Sequence, residues 1–361
     1  MHPVLLSSSL SAIALCAAPA AAQHAPPAAA ERAPTELGTV QWGRALEPAL
    51  ELSRESGRPV FLLFQEIPGC ETCRDFGRGP LSQPLLVEAI EALFVPVAIR
   101  NNEPGYAAAL LERFQEPSWN NPVFRLLDGE GKDLLARKDG LWTTHAVAMR
   151  MIAALEAAQQ RVPGYLRLVA EESAPAESVT ATFAMHCYWE GEARLGALPG
   201  VLGTRTGWQG GEEVVEVRFR PDQLSFDALL DRARELECAS LVYAEDDAQL
   251  AAARAKVGAE AQLRTAVTRT AKASDQLWYL RQSPLRFVPM SALQQRRVNA
   301  ALAAEESPYR VLSRRQIHLG EIVPALDAEQ LGGLAELPPL TEFASVDAEL
   351  LRRLHAALRN G

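Results

Sequence analysis

At 361 residues the chain has room for two ordinary domains, and 48% apolar with 22% charged residues is the make-up of a sequence that buries real cores. A net charge of −9, with no basic cluster, argues against nucleic acid or an anionic membrane surface as the main partner. Five cysteines are sparse for a disulfide scaffold in a chain this long, so thiols used for chemistry are the better expectation.

The first residues, MHPVLLSSSLSAIALCAAPAAAQ, read as a secretory signal over 1–22. The apolar run from Val4 to Ala18 is too short to span a bilayer, and Ala20-Ala21-Ala22 offers a small-residue cleavage site. Export to a periplasm-like compartment is therefore expected, with Cys16 leaving with the signal and 23–36 forming a disordered linker. No later segment is apolar for long enough to cross a membrane.

From Trp42 the pattern sharpens. WGRALEPALELSRESGRP has helical spacing and stops at Gly57 and Pro59. VFLLF is a short apolar run suited to a strand buried on both faces. A CxxC follows at once, then a helix after Pro84 and a strand at VPVAI. NPVFRLLDGEGKDLLARKDG reads as a hairpin around an Asp-Gly turn, and HAVAMRMIAALEAAQQR as a closing amphipathic helix. This order, α-β-α-β-β-β-α, defines a first domain over 37–162. Residues 163–178 read as a linker that would raise the effective concentration of one domain near the other. A second domain is expected over 179–320. There VTATFAMH is a strand running into Cys187, EEVVEVRFR a strand, and SFDALLDRARELE and DAQLAAARAKVG helices. The Leu-rich stretch 321–361 reads as a helical tail.

Cys70 and Cys73 stand just after the first strand, where a helix begins. Unpaired N–H groups and the helix dipole there stabilise a thiolate. Cys70 is then the attacking thiol and Cys73 the resolving one. A structural disulfide or half a zinc site is the plainer alternative; zinc would want further Cys or His ligands, and none is near, so no metal is expected. Trp42, GRPVFLLF, the CxxC and NNPVF together resemble the thioredoxin-like superfamily. The resemblance implies that Pro122 follows a cis bond and packs against the CxxC. IPGC is also similar to a thioredoxin-like selenoprotein family named for its Val-Pro-Gly-selenocysteine motif, with Cys70 at the selenocysteine position. Glu71 and Thr72 depart from the Gly-Pro of thioredoxin itself.

HCYWEGEARLGALPGVLGTRTGWQGGEEVVEVRFRPDQLSFDALL carries a second constellation. Reducing a sulfoxide needs a thiolate to attack sulfur, an acid to protonate the departing oxygen, and an apolar wall for the methyl group. The stretch resembles peptide methionine sulfoxide reductase A over about fifty residues. That resemblance implies Cys187 as nucleophile, Tyr188 and Trp189 as the aromatic wall, Glu192 as a supporting acid and Glu213 as proton donor. SDQLWYLRQS offers Asp275 and Tyr279 in place of the family's downstream Asp and Tyr. His186 and Glu190 stand where the family has glycines, and a long loop bearing one active-site tyrosine is missing. Cys238, flanked by Leu236 and Ala239, reads as a buried helix thiol and is the candidate resolving partner in this half.

The expected protein is α/β (α+β): a thioredoxin-like domain followed by a ferredoxin-like domain of the methionine sulfoxide reductase A type. The first would donate electrons to the second, without a cofactor beyond its cysteines and an external thiol reductant. Its partners would be that reductant or an oxidised protein or peptide. The alternative is a thiol–disulfide oxidoreductase or redox sensor whose second domain only binds.

Overall fold

A computed structural model describes residues 34–117, 119, 122–175 and 177–322. The expected signal and nearly all of the first linker, and the tail beyond Ile322, lie outside these residues. Among the described residues no helix is long and apolar enough to cross a membrane.

The first half runs α1 (Leu46–Ser56), β1 (Val60–Gln65), α2 (Glu71–Arg78), α3 (Pro84–Leu93), β2 (Val95–Arg100), α4 (Tyr106–Phe114), β3 (Val123–Leu127), α5 (Thr144–Ala157) and α6 (Gly164–Glu172). Its sheet has the order β2-β1-β3, with β2 parallel and β3 antiparallel to the central strand. β1 is buried along its whole length because alternate residues feed two cores. Phe61 and Leu63 face a cluster with Phe76, Leu86, Met151 and Leu166, while Val60, Leu62 and Phe64 face Leu46, Leu110 and Phe114.

Four expectations change here. The return strand of the hairpin shrinks to one bridge, Leu127 to Asp133. Asp128 closes the turn by accepting the N–H groups of Glu130 and Lys132, after which Leu134 and Leu135 leave the sheet to pack on the core. Helix α4 intervenes between β2 and β3. The segment 163–178 is no simple linker, since its first half is α6. Pro163 sits just before that helix, where a missing N–H costs nothing, and Tyr165, Leu166, Val169 and Ala170 join the core behind β1. At the other end, Thr35–Leu37 form a 3₁₀ turn docked on α2, so residues 35 and 36 are structured rather than linker. The contact is close: a Cβ on Gly77 would stand 1.9 Å from the Thr35 carbonyl oxygen.

The second half runs β4 (Val179–Met185), α7 (Tyr188–Gly196), β5 (Val201–Gln209), β6 (Glu212–Phe219), α8 (Phe226–Glu235), β7 (Leu241–Ala244), α9 (Asp247–Val257), β8 (Ala261–Leu263) and β9 (Arg269–Thr270). It closes with α10 (Trp278–Gln282), α11 (Ala292–Ala303) and α12 (Arg314–Ile322). From β4 to β7 this is the split βαββαβ unit, its strands ordered β7-β4-β6-β5 and all antiparallel. The ferredoxin-like expectation stands, with β8 and β9 added at the two edges. The molecule is mixed α/β throughout.

The halves are joined by packing as well as by the chain. Arg297 on α11 pairs with Glu171 on α6 at 3.2 Å, the Leu293 N–H donates to Glu172, and the Arg315 N–H donates to Glu88 on α3. If α6 belongs to the core, Leu166→Ala, at a fully buried position, lowers unfolding free energy by about 2–5 kcal/mol in denaturant titration. A linker residue would cost almost nothing.

Candidate functional site

The CxxC loop leaves β1 at Gln65. The Gln65 side-chain amide donates to the carbonyls of Glu36 (2.8 Å) and Cys73 (3.0 Å), and the buried Glu36 carboxylate accepts the Gly69 N–H at 2.9 Å. Arg74 donates to the Gly69 carbonyl, so both sides of the loop are held. The Ile67–Pro68 bond is cis. Cys70 occupies the N-cap of α2 and is exposed; Cys73, one turn on, is fully buried, and the two sulfurs lie 3.5 Å apart as free thiols.

That difference in burial separates their chemistry. Hydrogen bonding from the Cys73 backbone N–H at the helix start lowers the Cys70 pKa, the Thr72 N–H and hydroxyl adding to it. Burial pushes Cys73 up to about 12. Of the two, Cys70 is the exposed and more readily ionised thiol, and Cys73 the buried one that keeps its proton. Glu66 was not expected here: its carboxylate and both sulfurs lie within 4.8 Å of one another. Its place beside the CxxC was the available signal, and a search for Cys and His ligands alone passes over it. Pro122 is buried and its carbonyl accepts the Trp142 indole N–H at 3.0 Å. The bond before it starts at Asn121, outside the described residues.

The second site is built on the same plan. β4 delivers Cys187 to the N-cap of α7, where it is half-buried. The Tyr188 N–H, one of the unpaired donors of that helix start, is taken by the Glu213 carboxylate at 2.8 Å. Glu213 is there because β6 pairs with β4 in the register that sets it opposite Met185. Tyr188 packs edge-on against Trp189 (5.9 Å) and Trp208 (5.6 Å), and Trp189 stacks on Trp278 at 4.1 Å. Trp208 and Trp278 were missed in the sequence, although one lies in TGWQGG and the other precedes Tyr279.

Asp275 and Tyr279 do reach this site. Burial raises the Tyr188 phenol pKa, and the neighbouring Asp275 and Glu213 carboxylates raise it further. Burial likewise raises Tyr279, with Glu190 and Cys187 as the nearby charges. Tyr279 also lines an open groove of about 410 Å³ with Glu190, Arg194, Leu198 and Ala300. His186 and Glu190 are both exposed.

Glu192 and Cys238 differ from expectation. Glu192 is only 1% exposed, and burial lifts its pKa to about 7 against the pull of the Leu277 N–H, the Thr204 hydroxyl, Arg296 and Arg281. Cys238 is off the helix: α8 ends at Glu235, and Glu237 turns the chain at φ 57°. Its thiol is buried, points at the Leu236 carbonyl at 3.2 Å and is pushed up to about 11 by burial. Both cysteines flank the β4–β7 pairing without being part of it: the Ser240 N–H and hydroxyl donate to the Ala184 carbonyl, with Cys238 two residues before Ser240 and Cys187 three residues after Ala184.

Two outcomes follow from these pKa directions. At neutral pH, iodoacetamide labels Cys70 roughly a hundredfold or more faster than Cys73, as read by peptide mass spectrometry; equal rates would remove the asymmetry. Glu192 holds its proton in the folded chain between its ordinary value of 4.5 and about 7, where the unfolded chain has lost it. Its contribution to stability therefore falls as pH rises through that window, by on the order of 3 kcal/mol, and Glu192→Gln flattens the profile in denaturant melts at stepped pH.

No protein-family profile matches the chain. In sequence it is similar to peptide methionine sulfoxide reductase MsrA of Methylococcus capsulatus, at 37% identity over 73 residues, 16% of this chain and 33% of that one. It is 34% identical over 113 residues to MsrA of Ectopseudomonas mendocina, 22% of this chain and 52% of that one. It is 40% identical over 65 residues to peptide methionine sulfoxide reductase of Drosophila melanogaster, 14% of this chain and 26% of that one. The chain thus spans from about a quarter to about a half of the length of these relatives. Among solved structures, a DsbH oxidoreductase aligns over 38% of this chain and 96% of its own, with 18% identity and a TM-score of 0.28. The likeness to the sulfoxide reductases is a partial one, carried by sequence.

Proposed function

We propose that this chain is an exported thiol oxidoreductase that reduces methionine sulfoxide in a peptide or protein at Cys187, with the Cys70–Cys73 pair as its electron donor. The observation that carries the reading is the arrangement around one helix start: a half-buried thiol, a carboxylate on the adjacent amide, and an indole wall, with Asp275 and Tyr279 brought in from a distant segment.

In this mechanism Glu213 takes the Cys187 thiol proton as the sulfur attacks the sulfoxide sulfur, and passes that proton to the sulfoxide oxygen. Methionine is released and Cys187 holds the oxygen as sulfenic acid. A thiol then condenses with it, losing water and forming a disulfide. Cys238 is the partner proposed, after the 236–239 turn shifts to uncover it. Cys70 attacks that disulfide and Cys73 displaces it, leaving an oxidised CxxC for an external thiol reductant. The thiols need no further cofactor. Cys70 would thus do the work that the similar selenoprotein family gives to selenocysteine.

Turnover of a methionine sulfoxide peptide with dithiothreitol tests the reading. Cys187→Ser abolishes it, and Glu213→Gln lowers kcat by about 10²–10³. With Cys73→Ser and no small thiol, Cys70 is trapped in a mixed disulfide visible by mass spectrometry. Absence of turnover in the unaltered chain, or turnover that survives Cys187→Ser, leaves a thiol–disulfide oxidoreductase with a binding-only second half.

A further inference from the structure

The segment that brings Asp275, Trp278 and Tyr279 to Cys187 has little structure of its own. It consists of a single 3₁₀ turn, Ala273–Asp275, and the five-residue α10, whose start has no side-chain cap. Its far end is held by the buried Asn299 on α11, whose Oδ1 accepts the Leu280 N–H at 3.0 Å, and two further attachments hold the part nearer Cys187. On one side the Gln276 amide grips the backbone of Thr206 on β5, accepting its N–H and donating to its carbonyl, both at 3.0 Å; the Thr206 hydroxyl adds a bond to the Asp275 carbonyl at 3.1 Å. On the other side the Leu277 N–H donates to Oε2 of Glu192 on α7. Leu277 has φ 52°, the left-handed region that a leucine avoids, and this turn points its N–H inward.

Without the Glu192 bond the backbone of the segment would be tied to β5 and α11, and only side chains, Asp275 to Tyr188 and Trp278 on Trp189, would join it to the helix that starts at Cys187. We infer that Glu192 is the positioning residue that fixes Asp275, Trp278 and Tyr279 against the Cys187 thiol, by anchoring Leu277 to α7. This rests on sulfoxide reduction at Cys187. Glu192 lies five residues along the same helix from Cys187, so the anchor and the thiol move as one body. Its other oxygen accepts the Thr204 hydroxyl at 3.2 Å, which fixes the carboxyl in turn. The residue immediately after the anchored N–H is Trp278, stacked on Trp189 beside the thiol. Burying a carboxyl here is unfavourable, as its raised pKa records, and an apolar side chain would suit the core better. The position makes sense as a device for placement.

Variants of the full-length protein test this by reach and by carboxyl group separately. Gln keeps the reach to Leu277 without an ionisable group; Asp keeps the carboxyl but is one methylene short; Ala has neither. The stacked indole pair gives an exciton signal in far-ultraviolet circular dichroism that needs no turnover. Glu192→Ala and Glu192→Asp are expected to lose that signal and to lower kcat by roughly tenfold to a hundredfold with KM little changed, as a displaced segment would. Glu192→Gln restores most of both, and alkylation of Cys187 proceeds at the same rate in all. Should Glu192→Ala not fold, Asp against Gln decides. Asp behaving as wild type, or Gln as damaged as Ala, overturns the inference. If the unaltered chain reduces no sulfoxide, the proposed reaction falls, while the indole signal still decides whether Glu192 anchors the segment.

Discussion

The unpaired N–H groups at the start of a helix are the constraint on which both thiol sites depend. A strand buried on both faces must end somewhere, and in each half it ends against a helix whose first amides have no partner within the helix. In the first half those amides are turned on Cys70 and hold its sulfur toward the thiolate. In the second, one is given to Glu213, and the carboxylate is thereby parked beside Cys187. The same local shortage is met by sulfur in one case and by oxygen in the other. In the function proposed, that difference separates thiol exchange at the first site from a reaction at the second that also has a proton to handle.

Burial then assigns order. Among the described cysteines only Cys70 is exposed and Cys187 half-exposed; Cys73 and Cys238 are sealed and their protons held tightly. Each half thus pairs a thiol open to solvent, wholly or in part, with a buried one. In the second, uncovering Cys238 requires the turn around Glu237 to move.

The strands and most helices were legible because their signal is local. VFLLF, VTATFAMH and EEVVEVRFR are apolar runs of strand length, and the helices after Pro84 and Ser225 carry their own start signals. What escaped was set by distance. The Pro163-Gly164 pair reads as a break until the core that receives Leu166 is known. Asp275 and Tyr279 could be guessed at but not placed, because their position rests on Gln276 and Glu192 reaching across some seventy to eighty-five residues. Glu192 itself read only as a supporting acid after Cys187, and only the fold around it makes it a buried one.

Helix α6 in place of slack chain alters what the connection between the halves does. A tether changes how often two partners meet, and its length tunes that frequency. Here the chain is packed into the first core as far as Ala170, and Glu171 and Glu172 are bonded to α11. Adding or removing residues within 164–172 would shift the helical phase of Leu166 and Val169 and strip apolar contacts from behind β1. The connection is a structural member, and its length is a property of the fold rather than a dial on encounter.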